Sequence, residues 1–168
     1  MPSLIFLAVF PAALMVAAAN DLYDFKIPNW ISLALIVSYA LAGIVLGAPL
    51  ASMVEGILLG CAVLAVGFGL FAAKLLGGGD AKLLAATAPW IGLAEFFNFA
   101  FTMVIAGGVL TLFLLLFRKM PILPVYAHAN WILRMHENRK DLPYGVAIAA
   151  GGLLTFDSTP YFQIAFGG

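Results

Sequence analysis

Apolar runs of the length that crosses a bilayer recur along nearly the whole chain, and a soluble fold has no way to hide so many. They lie near Leu4 to Asn20, Trp30 to Leu46, Met53 to Leu76, Lys82 to Leu93, Phe96 to Phe117 and Tyr144 to Phe166. Composition agrees: 64% of the 168 residues are hydrophobic, 10% are charged, and the mean hydropathy is +1.09. A soluble domain needs roughly a quarter of its residues charged. The chain therefore reads as an all-α integral membrane protein, with residues 1–168 as a single membrane-embedded domain. Its fourth run, "KLLAATAPWIGL", is short: about 12 residues, or roughly 18 Å of helix against a hydrocarbon core of about 30 Å. No Lys or Arg precedes Leu4, so the first run reads as a retained helix and not as a signal peptide.

Charge placement sets the expected topology. Loops that face the cytoplasm carry the excess of Lys and Arg. With six transmembrane helices, Lys26, Lys74, Lys82, Arg118, Lys119, Arg134, Arg139 and Lys140 all fall on one side. Both termini are then outside the cytoplasm. Glu55, Glu95 and Asp157 fall near the outer face, and Asp21, Asp24, Asp80, Glu137 and Asp141 near the inner one. The net charge of zero excludes a nucleic-acid partner held by a basic field. Membrane lipid is the expected surrounding.

Two polar stretches interrupt the hydrocarbon at the cationic face. "LLGGGDAKLLAA" places Gly77, Gly78 and Gly79 directly before Asp80, and "NDLYDFKIPNW" carries Asp21 and Asp24 at the end of the first run. Asp80 has two readings: a cap for the helix that follows, or an ionisable group placed between apolar helices because it is used. A phosphate-cradling loop is disfavoured, because the G-x-x-x-x-G-K-[ST] spacing is missing and Asp80 places an anion where the phosphate would sit. The topology brings Asp21 and Asp80 out at the same membrane level. Two carboxyl groups together at a partly desolvated site do not both ionise cheaply, so one keeps a proton. One member of such a pair activates water and the other protonates the leaving amine.

The pattern "DLYDFKIPN" followed by "GGGDAKL" resembles the type IV prepilin peptidases, membrane aspartic proteases with D-x(5)-I-P-N after the first helix and G-x-G-D before the fourth. "LPYGVAIAAGG", Leu142 to Gly152, is similar to the small subfamily that processes Flp-type pilins in tight-adherence systems, the TadV or CpaA group. The resemblance implies that Asp21 and Asp80 are catalytic. It leaves Gly77, Gly78, Gly79, Asp24 and Lys82 as access or accessory positions, with a swap of roles between Asp21 and Asp24 still open. It also implies a prepilin or pseudopilin substrate with a short basic leader, cut at the cytoplasmic face just before the pilin's apolar helix, and no cofactor. Larger relatives add a cysteine-rich segment and methylate the product; with Cys61 as the single cysteine, cleavage alone is expected here. The rival readings are an archaeal preflagellin-type peptidase, a proton-coupled transporter and a non-catalytic scaffold.

The remaining features have structural readings. Cys61 is expected to pack as a small apolar residue. The G-x-x-x-G of Gly56 and Gly60 is expected to serve packing within the chain. Trp30 and Trp90 read as interface or packing aromatics. His128 and His136 lie eight positions apart in the segment 125–140, an expected amphipathic cytoplasmic helix between the fifth and sixth spans, with no further residues to complete a metal site.

Overall fold

A computed structural model of the chain describes residues 2–121, 130–137 and 142–167, and every regular element among them is helical. The elements are α1 (Pro2–Asp24), α2 (Asn29–Leu46), α3 (Leu50–Ala72), α4 (Gly78–Phe117), α5 (Asn130–Glu137), α6 (Tyr144–Leu154), a 3-10 turn (Phe156–Ser158) and α7 (Pro160–Phe166). Proline and glycine punctuate them. Pro28 and Pro49 precede α2 and α3, and Gly47 closes α2 in the left-handed region at φ 67°, where glycine carries no steric penalty. Ile5–Asp24, Asn29–Leu46, Leu50–Ala72 and Gly78–Phe117 are long and apolar enough to cross a membrane.

The fourth and fifth expected runs are two arms of α4. At 40 residues a straight α4 would extend roughly 60 Å, twice the hydrocarbon thickness. It is broken at Gly92, with φ 74° and ψ 162°, a conformation essentially reserved for glycine. The expected loop at Ala94 and Glu95 is therefore helical, because one glycine makes the turn. Packing gives the chain direction on either side of it. Gly67 faces Ala81 and Gly60 faces Ala85, so α3 runs antiparallel to the first arm. Gly151 lies against Phe99 and Gly107 against Ala147, so α6 runs antiparallel to the second arm, while Gly152 meets Thr87 of the first. The two arms thus form a hairpin. Gly56 and Gly60 are used within the chain as expected, letting α3 approach α4 closely.

The last expected run is also divided. α6 stops at Thr155, whose hydroxyl bonds the Gly151 carbonyl at 2.9 Å, and α7 restarts at Pro160 beside Gly92. A side chain bonding back four residues competes with helix continuation, and Pro at the first helical position is suited to a restart. The core lies where α1, α2, α4 and α6 meet, around Phe10, Leu14, Leu35, Trp90 and Phe99. Trp90 packs there with its indole N–H bonded to the Leu35 carbonyl at 2.9 Å, whereas Trp30 is exposed. Cys61 departs from expectation. Because α3 turns Gly60 toward α4, the next residue points outward, and Cys61 is exposed.

Gly92→Ala forces an L side chain into the forbidden region and sets a Cβ 2.8 Å from Pro160 Cγ. We expect it to destabilise the protein by about 1–3 kcal/mol, read as a lowered unfolding midpoint in detergent. Gly69→Ala, with nothing within 4 Å of the new methyl, should leave that midpoint unchanged or raise it.

Candidate active site

Both aspartates sit at one end of the helix assembly. Asp21 occupies the last turn of α1, where the Phe25 amide bonds the Asp21 carbonyl at 3.0 Å and the chain turns left-handed at Phe25, φ 52°. Its side chain is 4% exposed and accepts a 2.7 Å hydrogen bond at Oδ2 from the Gly145 backbone N–H. Gly145 is in the first turn of α6, where amides have no partner within the helix and an anion is favoured. A Cβ at Gly145 would lie 2.8 Å from Asp21 Oδ2 and 2.8 Å from Ile27 Cδ1. Glycine is therefore required for this contact.

Asp80 lies in the first turn of α4, after Gly77 at the N-cap, and is 9% exposed. Its carboxyl reaches back to the Gly77 backbone, as an acid at the third helical position does in a capping box. The capping reading of Asp80 thus holds through the third position, not the N-cap itself. The three glycines have separate tasks. A Cβ at Gly77 would come within 2.5 Å of Asp80 Oδ2, one at Gly78 would meet the Phe71 ring at 3.3 Å, and one at Gly79 would meet Ile27 Cβ at 3.3 Å. Ile27 is thereby wedged between the N-termini of α4 and α6.

Asp21 and Asp80 together line two adjoining cavities. One, of about 370 Å³, is walled by Phe25, Phe71, Lys74 and Tyr144. The other, of about 460 Å³, runs past Lys26, Pro28, Asn29 and all three glycines. Asp24 and Lys82 are not part of this arrangement. Asp24 is exposed and pairs with Arg134 of α5 at 3.0 Å, a surface ion pair of small energetic weight. Lys82 Nζ donates to Asn29 Oδ1 at 3.0 Å on the outer side of the second cavity. Lys26, Lys74, Lys82, Arg118, Lys119 and Arg134 all belong to this end of the molecule. Arg139, Lys140, Asp141 and His128 lie outside the described residues. His136 packs edge-on against Phe117, with Nε2 2.9 Å from the Met120 carbonyl.

Residues 8–112, a stretch that holds both aspartates and the glycines between the cavities, match the model of the type IV leader peptidase family. The chain belongs to this family. Comparison with the curated proteins and with the solved structures gave no match. A type IV leader peptidase is a protease, hence a hydrolase, and its substrates are of the prepilin type. With several apolar helices of spanning length, this one is a multi-pass membrane protein. Gly145 lies beyond the matched residues. The sequence contained a signal for it, a Pro-x-Gly at a helix start, but not its contact with Asp21.

Gly145→Ala should displace the Asp21 carboxylate and remove a buried hydrogen bond to a charged group, worth about 1.5–3 kcal/mol. The expected result is at least tenfold slower prepilin cleavage. Gly78→Ala, which meets only the edge of the Phe71 ring, should lose far less in the same assay.

Proposed function

We propose that the whole chain is a single membrane-embedded aspartic endopeptidase domain that removes the short basic leader of Flp or type IVb-like prepilins or pseudopilins. Asp21 and Asp80 form its water-activating pair. The observation that carries this reading is that these two buried carboxyls, from helices far apart in sequence, line the same two cavities. In the resting pair one carboxyl is protonated and the other ionised. The ionised member takes a proton from water as its oxygen bonds the scissile carbonyl carbon, and the protonated member gives its proton to the carbonyl oxygen. The gem-diol intermediate then collapses: the carboxyl that took the proton from water gives it to the leaving amine as the C–N bond breaks, the other carboxylate takes a proton from a gem-diol hydroxyl as the product's C=O forms, and the pair returns to its starting charge. The pair titrates as a unit, so base and acid are roles within the dyad. Gly77, Gly78 and Gly79 give the peptide a floor without side chains. The chemistry uses only carboxyls and water, and the product is not methylated.

Orientation follows from charge. The cationic residues around the dyad support a cytoplasmic position for this end, at the inner membrane. α1 starts at the opposite end and α7 lies there beside Gly92, which supports a periplasmic side for the outer ends of both helices. Counting each arm of α4 as a crossing, and α6 with α7 as the last, gives six spans. The short fourth is the 78–91 arm, roughly 21 Å long, so the dyad is recessed in the cytoplasmic leaflet. α5, with Met135 buried and Arg134 exposed, lies along that leaflet as an amphipathic helix. A proton-transport pathway would distribute carboxyls through the membrane depth, whereas Asp21 and Asp80 share one end.

Membranes carrying Asp21→Asn or Asp80→Asn are expected to lose prepilin cleavage by a factor of about 10³ or more. Those carrying Asp24→Asn should stay within a few-fold of wild type. Cleavage that persists in both of the first two variants refutes the dyad. The pH profile of kcat/KM should be bell-shaped. On the acid side both carboxyls are protonated and no base remains; on the alkaline side both are ionised and no acid remains.

A further inference from the structure

α2 and α3 make little contact with each other, and each packs instead on the first arm of α4. The space between them is an apolar groove of about 400 Å³, floored by Ala85 and Pro89 and walled by Ile36 and Ala40 of α2 and by Ile57 and Cys61 of α3. It extends from Ser32 to Ala40 along α2, roughly 12 Å, or about two turns of helix. We propose that this groove binds the apolar helical segment of the substrate that follows the scissile bond. The proposal rests on the leader-peptidase reading of the dyad and adds where the substrate docks.

Three observations converge on that occupant. First, the groove adjoins the catalytic cavity. Asn29 lines the cavity, Lys82 lines the groove, and the 3.0 Å hydrogen bond between them marks the boundary. A chain leaving the dyad over Gly78 and Gly79 crosses this bridge into the groove. Second, Ala40, Gly60 and Ala85 offer small surfaces, which let a helix backbone approach closely in lipid. Third, Ser32 lines the groove at the end nearest Asn29. It is 7% exposed, and its hydroxyl has no hydrogen-bond partner. An unpaired hydroxyl in apolar surroundings is unfavourable. The first turn of a helix carries backbone N–H groups without partners, and a substrate helix starting at this end presents them to Ser32 Oγ. A lipid acyl chain has no donor to offer.

Cys61, the single cysteine of the chain, is exposed on the groove wall and serves as a native probe. The full chain, inactivated by Asp80→Asn, would be reconstituted in phosphatidylethanolamine–phosphatidylglycerol vesicles. The ligand would be a synthetic peptide with a basic leader and an apolar helix of about 20 residues, carrying one cysteine at successive positions. Oxidative cross-linking to Cys61 should recur every three to four positions within the first two helical turns after the cleavage site. With active protein, Ala40→Trp should raise KM for this peptide at least tenfold while kcat stays within about threefold. Val66→Trp, exposed on α3 outside the groove, should change neither. Uniform or absent cross-linking, or an unchanged KM in Ala40→Trp, overturns the proposal; the latter is the outcome if the groove holds only lipid. If wild type fails to cleave the peptide but periodic cross-links form, the proteolytic reading falls and the docking site stands.

Discussion

The 2.7 Å hydrogen bond from the Gly145 amide to the Asp21 carboxylate is the contact on which the rest of the site depends. It joins the end of α1 to the start of α6, across most of the sequence. An anion at a helix N-terminus is stabilised by the amides it meets there, so α6 is capped by the same side chain that faces Asp80 across the cavities. With the proposed dyad, a change at either residue alters cleavage and helix docking together. Ile27 reinforces the arrangement from the α1–α2 turn, because it packs on Gly79 and Gly145 at once. The turn, α4 and α6 meet at one side chain, and two glycines make room for it.

This explains why so apolar a chain tolerates buried carboxyls. A carboxylate taken out of water needs hydrogen bonds or pairing. Each aspartate is given backbone from a helix start: Gly145 for Asp21 and Gly77 for Asp80. Two helix N-termini aimed at one spot supply a favourable field without a full cation beside the pair, which would hold both carboxyls ionised. Of the nearby lysines, Lys26 and Lys74 line the cavities from exposed positions and Lys82 is engaged by Asn29.

Much of this end of the molecule was legible in the sequence, because charges in an apolar chain are few and their spacing is constrained by helix length. Asp21, Asp80 and the clustering of cations at one end followed from counting apolar runs. What was not legible depends on contacts between distant residues. Nothing local in "LPYGVA" marks Gly145 as the partner of a residue in the first helix. Gly92 looks like any glycine between apolar runs, and only its fit against Pro160 shows that it makes the turn assigned to Ala94 and Glu95. Cys61 read as core because it lies in an apolar run. In lipid, however, an apolar residue carries no information about which way it faces, and the small face of α3 had already turned toward α4.

The glycines before Asp80 read in the sequence as access positions, but packing assigns each a neighbour: Asp80, Phe71 and Ile27. The backbone freedom that the site does use lies elsewhere, at two residues that are not glycine. Phe25 and Lys74 adopt φ of 52° and 60°, each at the end of a helix that leads into the loop beside an aspartate, and both line the same cavity as the dyad. Such a conformation costs an L-residue roughly 1–2 kcal/mol, and glycine at either position would relieve it. Glycine would also remove the Phe25 ring and the Lys74 stem from the cavity wall, leaving Asp21 and Asp80 more open to bulk water. Electrostatic work inside a protease site depends on limiting that water. The strained turns are therefore best understood as part of the enclosure: the backbone bends as glycine would, while the side chains stay to shield the pair.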